Sequence, residues 1–220
     1  MDGRAGREPT VLLTGFGPFA DVDHNPTAAV VARLARGRPS AVGARIVAHE
    51  LPVDYARVGD VVAGLVADVS PDAILLTGLR TSALTVGVER VALNLDDTVE
   101  PDNAGRVRRG TPIATSGPPA YISPLDLEPL CAAFLERGIA AGISNHAGAY
   151  LCNHTYYRTR HLLAATRPQV PCVFVHVPWI GRHPVVDARG EAVTEAMLAD
   201  ALVACAVRLA DVARVGEGQS

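Results

Sequence analysis

Three stretches of this chain are apolar on both faces: Val11-Leu12-Leu13, Ala73-Ile74-Leu75-Leu76 and Cys172-Val173-Phe174-Val175. A strand with one wet face alternates apolar and polar side chains, so these runs belong to strands covered on both sides. Such strands occur in parallel sheets, where each return crosses over, usually as a helix. Helix signals do stand between them. Asn25-Pro26 reads as a cap with proline at the first helical position; Val30, Val31 and Leu34 form one apolar face, and Gly37 and Pro39 stop the helix. Arg45–Val53 reads as a strand, and Tyr55–Val69 as a helix with Val58, Val62 and Leu65 inward.

Ser123-Pro124 opens a helix carrying Leu127, Leu130, Cys131 and Phe134 on one stripe, closed by Gly138. A short strand, Ala140–Ser144, leads into a helix from about Tyr150 to Ala165. Glu191–Val212 is a long terminal helix with Val193, Met197, Leu198, Ala201, Cys205 and Leu209 inward. Only the middle breaks the alternation. Val88–Asp96 alternates apolar and polar and runs into the turn cluster Pro101-Asp102-Asn103-Ala104-Gly105, which predicts strands with one exposed face. The fold expected is α/β: a single-domain three-layer α/β/α sandwich with a mostly parallel, mixed, twisted sheet. One domain spans 1–220, with flexible ends at 1–9 and 213–220.

A 220-residue chain buries enough surface to need no disulfide or metal staple. Its 20 basic residues, against 23 acidic ones, are all arginine and form no stripe, so no nucleic-acid partner is expected. Without lysine, no lysine Schiff base and no Walker-type phosphate loop can form. No run approaches 18 apolar residues, so no membrane span is expected. Cys131, Cys152, Cys172 and Cys205 sit in four separate segments without a CxxC pair, which points to a reducing cytoplasm.

In α/β folds, ligands gather beyond the carboxyl ends of the strands. After the first strand comes Gly15-Phe16-Gly17-Pro18-Phe19, where two phenylalanines either plug the sheet end or wall a pocket for a small flat ligand. Glu89 follows the third, and as a lone residue reads as a surface carboxylate. Cys152, in Ser144-Asn145-His146-Ala147-Gly148-Ala149-Tyr150-Leu151-Cys152-Asn153-His154, falls at the first turn of a helix. There the helix dipole is expected to lower its pKa. His176 sits near the end of the last strand, positioned as a general base. Cys152 with His146 and His154 makes a poor metal set, because Cys-x-His points the two side chains apart on a helix; no metal or other cofactor is expected. Cysteine, histidine and carboxylate could form a triad, although spacing alone does not bring them together.

The ordered set TGFGPF…NP, ERVALN, PDN, SNHAGAYLCNH and HVPW resembles the pyroglutamyl peptidase I, or pyrrolidone carboxyl peptidase, family of cysteine peptidases, from about Val11 to Trp179. The resemblance implies Cys152 as nucleophile, His176 as base and Glu89 as the acid orienting it. It implies a pyroglutamyl pocket lined by Phe16, Phe19 and Tyr150, with Asn25 near it. The lactam N–H and C=O need partners on burial, and main-chain groups of the Gly15–Phe19 and Gly78–Arg80 loops, Leu79 included, are expected to supply them. The implied activity is hydrolysis after an N-terminal pyroglutamate of peptides, by a homo-oligomer (dimer or tetramer). Two departures stand out. The family's usual GQAGGR is Gly78-Leu79-Arg80-Thr81-Ser82-Ala83 here, and Asp96–Glu100 offers no arginine beside the PDN segment. They keep open a thiol amidohydrolase for another small cyclic acyl-amide, or a weakly active pyroglutamyl-binding homologue.

Overall fold

The computed structural model describes residues 7–37, 40–41, 43–183 and 185–217. Its elements in chain order are β1 (Thr10–Phe16), α1 (Pro26–Gly37), β2 (Ser40–Ala41), β3 (Ala44–Leu51), α2 (Val58–Val69), β4 (Ala73–Leu79) and β5 (Val86–Glu89). They continue with β6 (Val91–Leu93), β7 (Ala120–Ile122), α3 (Glu128–Leu135), β8 (Ala141–Ser144), α4 (Leu151–Thr166), β9 (Cys172–Val177) and α5 (Glu195–Glu217). Seven strands form one sheet in the order β2-β3-β1-β4-β9-β5-β8, and β6 pairs with β7 apart from it. β3, β1, β4 and β9 run parallel. β5 joins β9 antiparallel and carries β8 parallel to itself.

The side-chain period of two then divides the core. Val11, Leu13, Leu75, Val173 and Val175 face α1, α3 and α5, whose Val30, Leu34, Leu130, Phe134, Leu198 and Leu202 complete one buried cluster. Leu12, Phe16, Ile74, Leu76, Cys172 and Phe174 face α2 and α4, meeting Val58, Val62, Leu151, Tyr156 and Leu163. Helices on both faces make the three layers expected.

Several boundaries differ. α2 begins at Val58, after a turn in which the N–H of Val58 bonds the carbonyl of Asp54, and its third inward residue is Val66 rather than Leu65. α5 begins at Glu195 and runs through Glu217, past the predicted flexible end at 213; Val193 is buried although it precedes the helix. Pro9, assigned to a flexible N-terminus, is buried and its carbonyl accepts the Arg45 N–H at 2.8 Å. Residues 1–6 and 218–220 lie outside the described residues, as does the Pro39 stop of α1. The Val88–Asp96 stretch splits: Val88 and Glu89 complete a strand of the main sheet, and the chain leaves it at Arg90 to form β6.

Candidate active site

The site lies on the α2/α4 face, and the period of two selects its residues. Gly78 shares a face of β4 with Ile74 and Leu76, His176 shares one of β9 with Cys172 and Phe174, and Glu89 and Gly87 sit on the matching face of β5. In register, Gly78 pairs with His176 across β4–β9, and His176 pairs with Gly87 across β9–β5. Glu89 stands opposite Phe174, so it reaches His176 diagonally, across Gly87. A Cβ at 87 would already touch Glu89 Oε1 at 3.4 Å, so a larger side chain there would occupy the path of the carboxylate. His176 Nδ1–H donates to Glu89 Oε1 at 2.7 Å, and both side chains are buried. Nδ1 being engaged, Nε2 is the nitrogen left for a substrate.

Cys152 is the second residue of α4, which no side chain caps. Its sulfur rests on the main chain of Gly78: a Cβ there would stand 2.7 Å from Sγ and 2.8 Å from the ring of Phe174. Glycine in a strand interior marks such a close approach, and this one puts the thiol over the residue in register with His176. Cys152 is half-buried, whereas Cys131, Cys172 and Cys205 are fully buried. The three residues the sequence nominated for chemistry therefore converge at Gly78–His176–Gly87.

Their electrostatics differ from the expected thiolate. Burial pushes the Cys152 thiol from 9.0 up to about 12, with the Arg80 guanidinium pulling the other way. The charge at a helix end is worth roughly 0.3–1 kcal/mol, less than one tenfold step in acidity, so desolvation wins. Burial likewise pushes His176 below its ordinary value, outweighing the Glu89 carboxylate. For Glu89, burial raises the pKa, but hydrogen bonding and charge from His176, with Ser144 and Arg80, outweigh it and leave the carboxyl below the usual range. Burial therefore disfavours the charged forms of both Cys152 and His176, while the partners of Glu89 favour its carboxylate. Glu89 is fully buried, which corrects its reading as a surface carboxylate.

Arg80, displaced from the arginine position of the resembled motif, still enters the site. Its Nη2 donates to Glu89 Oε1 at 3.1 Å and to the carbonyl of His146, tying the β4–β5 connection to the loop before α4. A second arginine also arrives by another route. Arg108, beyond the PDN turn, donates to Asp96 Oδ2 at 3.0 Å and lies over the Tyr55 ring. His154 meets the same Asp96 oxygen at 2.8 Å, and the Asn153 amide bonds the main chain of Leu93 and Leu95. Asn153 and His154 thus fasten α4 to the β6 segment rather than take part in chemistry. Among the described residues no cluster of His, Cys, Asp or Glu could hold a metal ion.

An aromatic wall forms where the loops after β1 and β3 meet the start of α4. Tyr150 lies 6.2 Å from Phe19 and 5.9 Å from Tyr55, centroid to centroid, the latter edge-on. The Tyr150 hydroxyl donates to the carbonyl of Pro101, and the Asn103 amide to that of Pro18, so the PDN turn is clipped to both halves of the wall. Tyr55 was missed in the sequence. Phe16 is 3% exposed and belongs to the core behind Phe19. Asn25 is buried with its amide spent on the carbonyl of Gly17 and its Oδ1 on the N–H and hydroxyl of Thr27; it holds the phenylalanine loop in place.

The Gly15–Phe19 main chain is also largely committed. The N–H groups of Phe16, Gly17 and Phe19 donate to Thr27 Oγ1 and the carbonyls of Leu51 and Val22, which leaves few donors there for a ligand and corrects the expectation that this loop supplies them. The Arg80 N–H is likewise taken, by the carbonyl of Val177. Leu79 differs. Since Arg80 faces β9, the N–H and C=O of Leu79 face β1, where the ladder takes its last step at Thr14–Leu76.

A model of the family described as pyroglutamyl peptidase matches residues 9–215. Pyrrolidone-carboxylate peptidase of Clavibacter michiganensis is 42% identical over 171 residues, covering 78% of this chain and 79% of that one. The Streptomyces coelicolor pyrrolidone-carboxylate peptidase is 36% identical over 201 residues, covering 90% and 92%. Among solved structures, pyroglutamyl peptidase I from Bacillus amyloliquefaciens superposes with a TM-score of 0.84 at 29% identity, over 93% of this chain and 96% of that chain. With the family model spanning most of the chain and relatives of this identity, the chain belongs to the pyroglutamyl peptidase family.

Proposed function

We propose that this protein is a cysteine exopeptidase that hydrolyses the amide bond after an N-terminal pyroglutamyl residue. The observation that carries the reading is the convergence of Cys152 on Gly78 beside a His176 already bonded to buried Glu89. The lactam ring stacks against Phe19 and Tyr150, with Tyr55 and Phe16 behind. A lactam presents one N–H and one C=O, each costing roughly 1–3 kcal/mol if buried unpaired. The Leu79 main chain offers the complementary C=O and N–H on the pocket side of β4, and its side chain does not enter the bond. That makes the glutamine-to-leucine departure tolerable and disfavours the amidohydrolase and binding-homologue readings.

With substrate seated, His176 Nε2 takes the Cys152 proton as sulfur attacks the carbonyl carbon outside the ring. The free N–H groups at the start of α4 receive the oxyanion. Glu89 stabilises the imidazolium and fixes its tautomer. The imidazolium protonates the departing amine, leaving a thioester. Water, deprotonated by the same imidazole, hydrolyses the thioester to pyroglutamate and restores the thiol. Because burial raises the thiol, the imidazole serves as the general base that takes its proton during the attack. The peptidase works in the cytoplasm, its four thiols reduced.

Steady-state kinetics on pyroglutamyl, glutamyl and prolyl coumarins test the proposal. Pyroglutamyl should be turned over and the other two should fail, since a charged amine would be buried without a counter-charge. Glu89→Gln should lose about 10² to 10⁴ in turnover while staying folded. A preference for glutamyl or prolyl substrate, or an unchanged Glu89→Gln, would overturn the reading.

A further inference from the structure

Across the sheet the aromatic wall is built from the loops after β1 (Phe19) and β3 (Tyr55) together with Tyr150, while Cys152 rests on β4, His176 is on β9 and Glu89 on β5. A substrate whose acyl group sits on the wall and whose carbonyl faces Cys152 must deliver its leaving amine toward His176. Beyond His176 in the same direction is a cleft of about 170 Å³, lined by Arg80, Ala83, Thr85, Gly87, Ser144 and His176, among others. It opens at the carboxyl end of β9, because the antiparallel β5 begins there. Among the described residues lining it, Arg80 alone carries a permanent charge.

The Arg80 guanidinium presents five N–H donors, and both of its contacts, Glu89 and the His146 carbonyl, fall on Nη2. Its side chain is about one-third exposed, whereas Glu89 beneath it is fully buried. An α-amino acid holds its carboxylate one carbon from its amine. An amine handed to His176 therefore brings that carboxylate to a guanidinium bonded to the same Glu89 oxygen as His176.

Building on the proposed activity, we infer that this cleft is the leaving-group subsite and that Arg80 recognises a free α-carboxylate there, so pyroglutamyl dipeptides are the preferred substrate class. Amidation removes the charge, and a longer peptide carries its carboxylate past Arg80; both lose the contact. A partly exposed charge-assisted bond of this kind corresponds to about a five- to tenfold preference in kcat/KM.

The test compares pyroglutamyl-alanine with pyroglutamyl-alaninamide at low and high salt, reading the ratio of their kcat/KM values so that effects common to both cancel. Wild type should favour the free acid about five- to tenfold, less so at high salt, and Arg80→Gln should bring the ratio close to one. Thr85→Glu, an exposed substitution on the cleft wall, should lower the ratio and Thr85→Arg raise it, even if Arg80→Gln proves too inactive to measure. A wild-type ratio near one, or a ratio that ignores the charge at position 85, would overturn the subsite. Failure of both substrates would instead sink the proposed activity.

Discussion

Replacing Gly78 by alanine should disable the site by moving the thiol. The new Cβ would meet Cys152 Sγ at 2.7 Å and the Phe174 ring at 2.8 Å. Neither backbone strain nor lost hydrogen bonding enters, since Gly78 is not among the residues of positive φ. Phe174 is fully buried and packs on His176 at 4.8 Å, centroid to centroid, so it has no room to retreat. The sulfur must yield. Restoring an ordinary contact of about 3.7 Å displaces it by about 1 Å, and a misplacement of that size costs about 10²-fold. Overpacking should add roughly 1–3 kcal/mol of destabilisation, or about 2 to 12 °C in Tm for a chain of this size. The assay is kcat/KM on pyroglutamyl-aminomethylcoumarin with a thermal melt of the same sample. Gly64→Ala in α2, which meets nothing within 4 Å, is the control and should keep full activity. A Gly78→Ala enzyme with wild-type kcat/KM and Tm would refute the seating of the thiol on β4.

The two phenylalanines should separate. Phe16→Ala should cost about 3–5 kcal/mol in urea denaturation because Phe16 lies in the core, whereas Phe19→Ala should leave stability nearly intact and raise KM more than it lowers kcat. Equal stability losses would contradict their placement. Stability should also fall on both sides of a plateau from about pH 6.5 to 9. Folded His176 lies below its ordinary 6.5, so between the two values the unfolded chain binds the extra proton and acid favours unfolding; Glu89, held below 4.5, adds to the loss further down. Above 9.0 an unfolded Cys152 ionises while the folded thiol holds its proton to about 12, so alkali also favours unfolding. Urea midpoints across this range check the sign, and a midpoint that rises from pH 7 to pH 5 would contradict it.

The layers of the fold were legible because strands covered on both faces leave unbroken apolar runs, and β1, β4 and β9 begin within a residue of those runs. Cys152 and His176 were legible as positions, one at a helix start and one at a strand end. Glu89 was not. A carboxylate in an alternating stretch normally marks the wet face, and nothing local discloses that β5 inserts antiparallel beside β9 and turns that face toward α4. The glycines carry a signal of their own: Gly78 and Gly87 in strand interiors mark where a thiol and a carboxylate lie against the sheet. The expected thiolate failed because helix-end charge is readable from position, whereas desolvation depends on the packing of distant segments. Arg80 and Arg108 were hidden by distance, since each reaches its carboxylate by a path no contiguous motif describes.

The most direct measurement of the central claim is where the acyl group rests during turnover. Wild-type enzyme mixed with pyroglutamyl-aminomethylcoumarin, acid-quenched within the first turnovers and mapped by peptide mass spectrometry, should carry a pyroglutamyl thioester on the peptide containing Cys152. His176→Asn should strongly reduce that adduct, and Cys152→Ala should show neither adduct nor coumarin release. A pyroglutamyl group found on any other residue, or coumarin released at the wild-type rate by Cys152→Ala, would contradict the account.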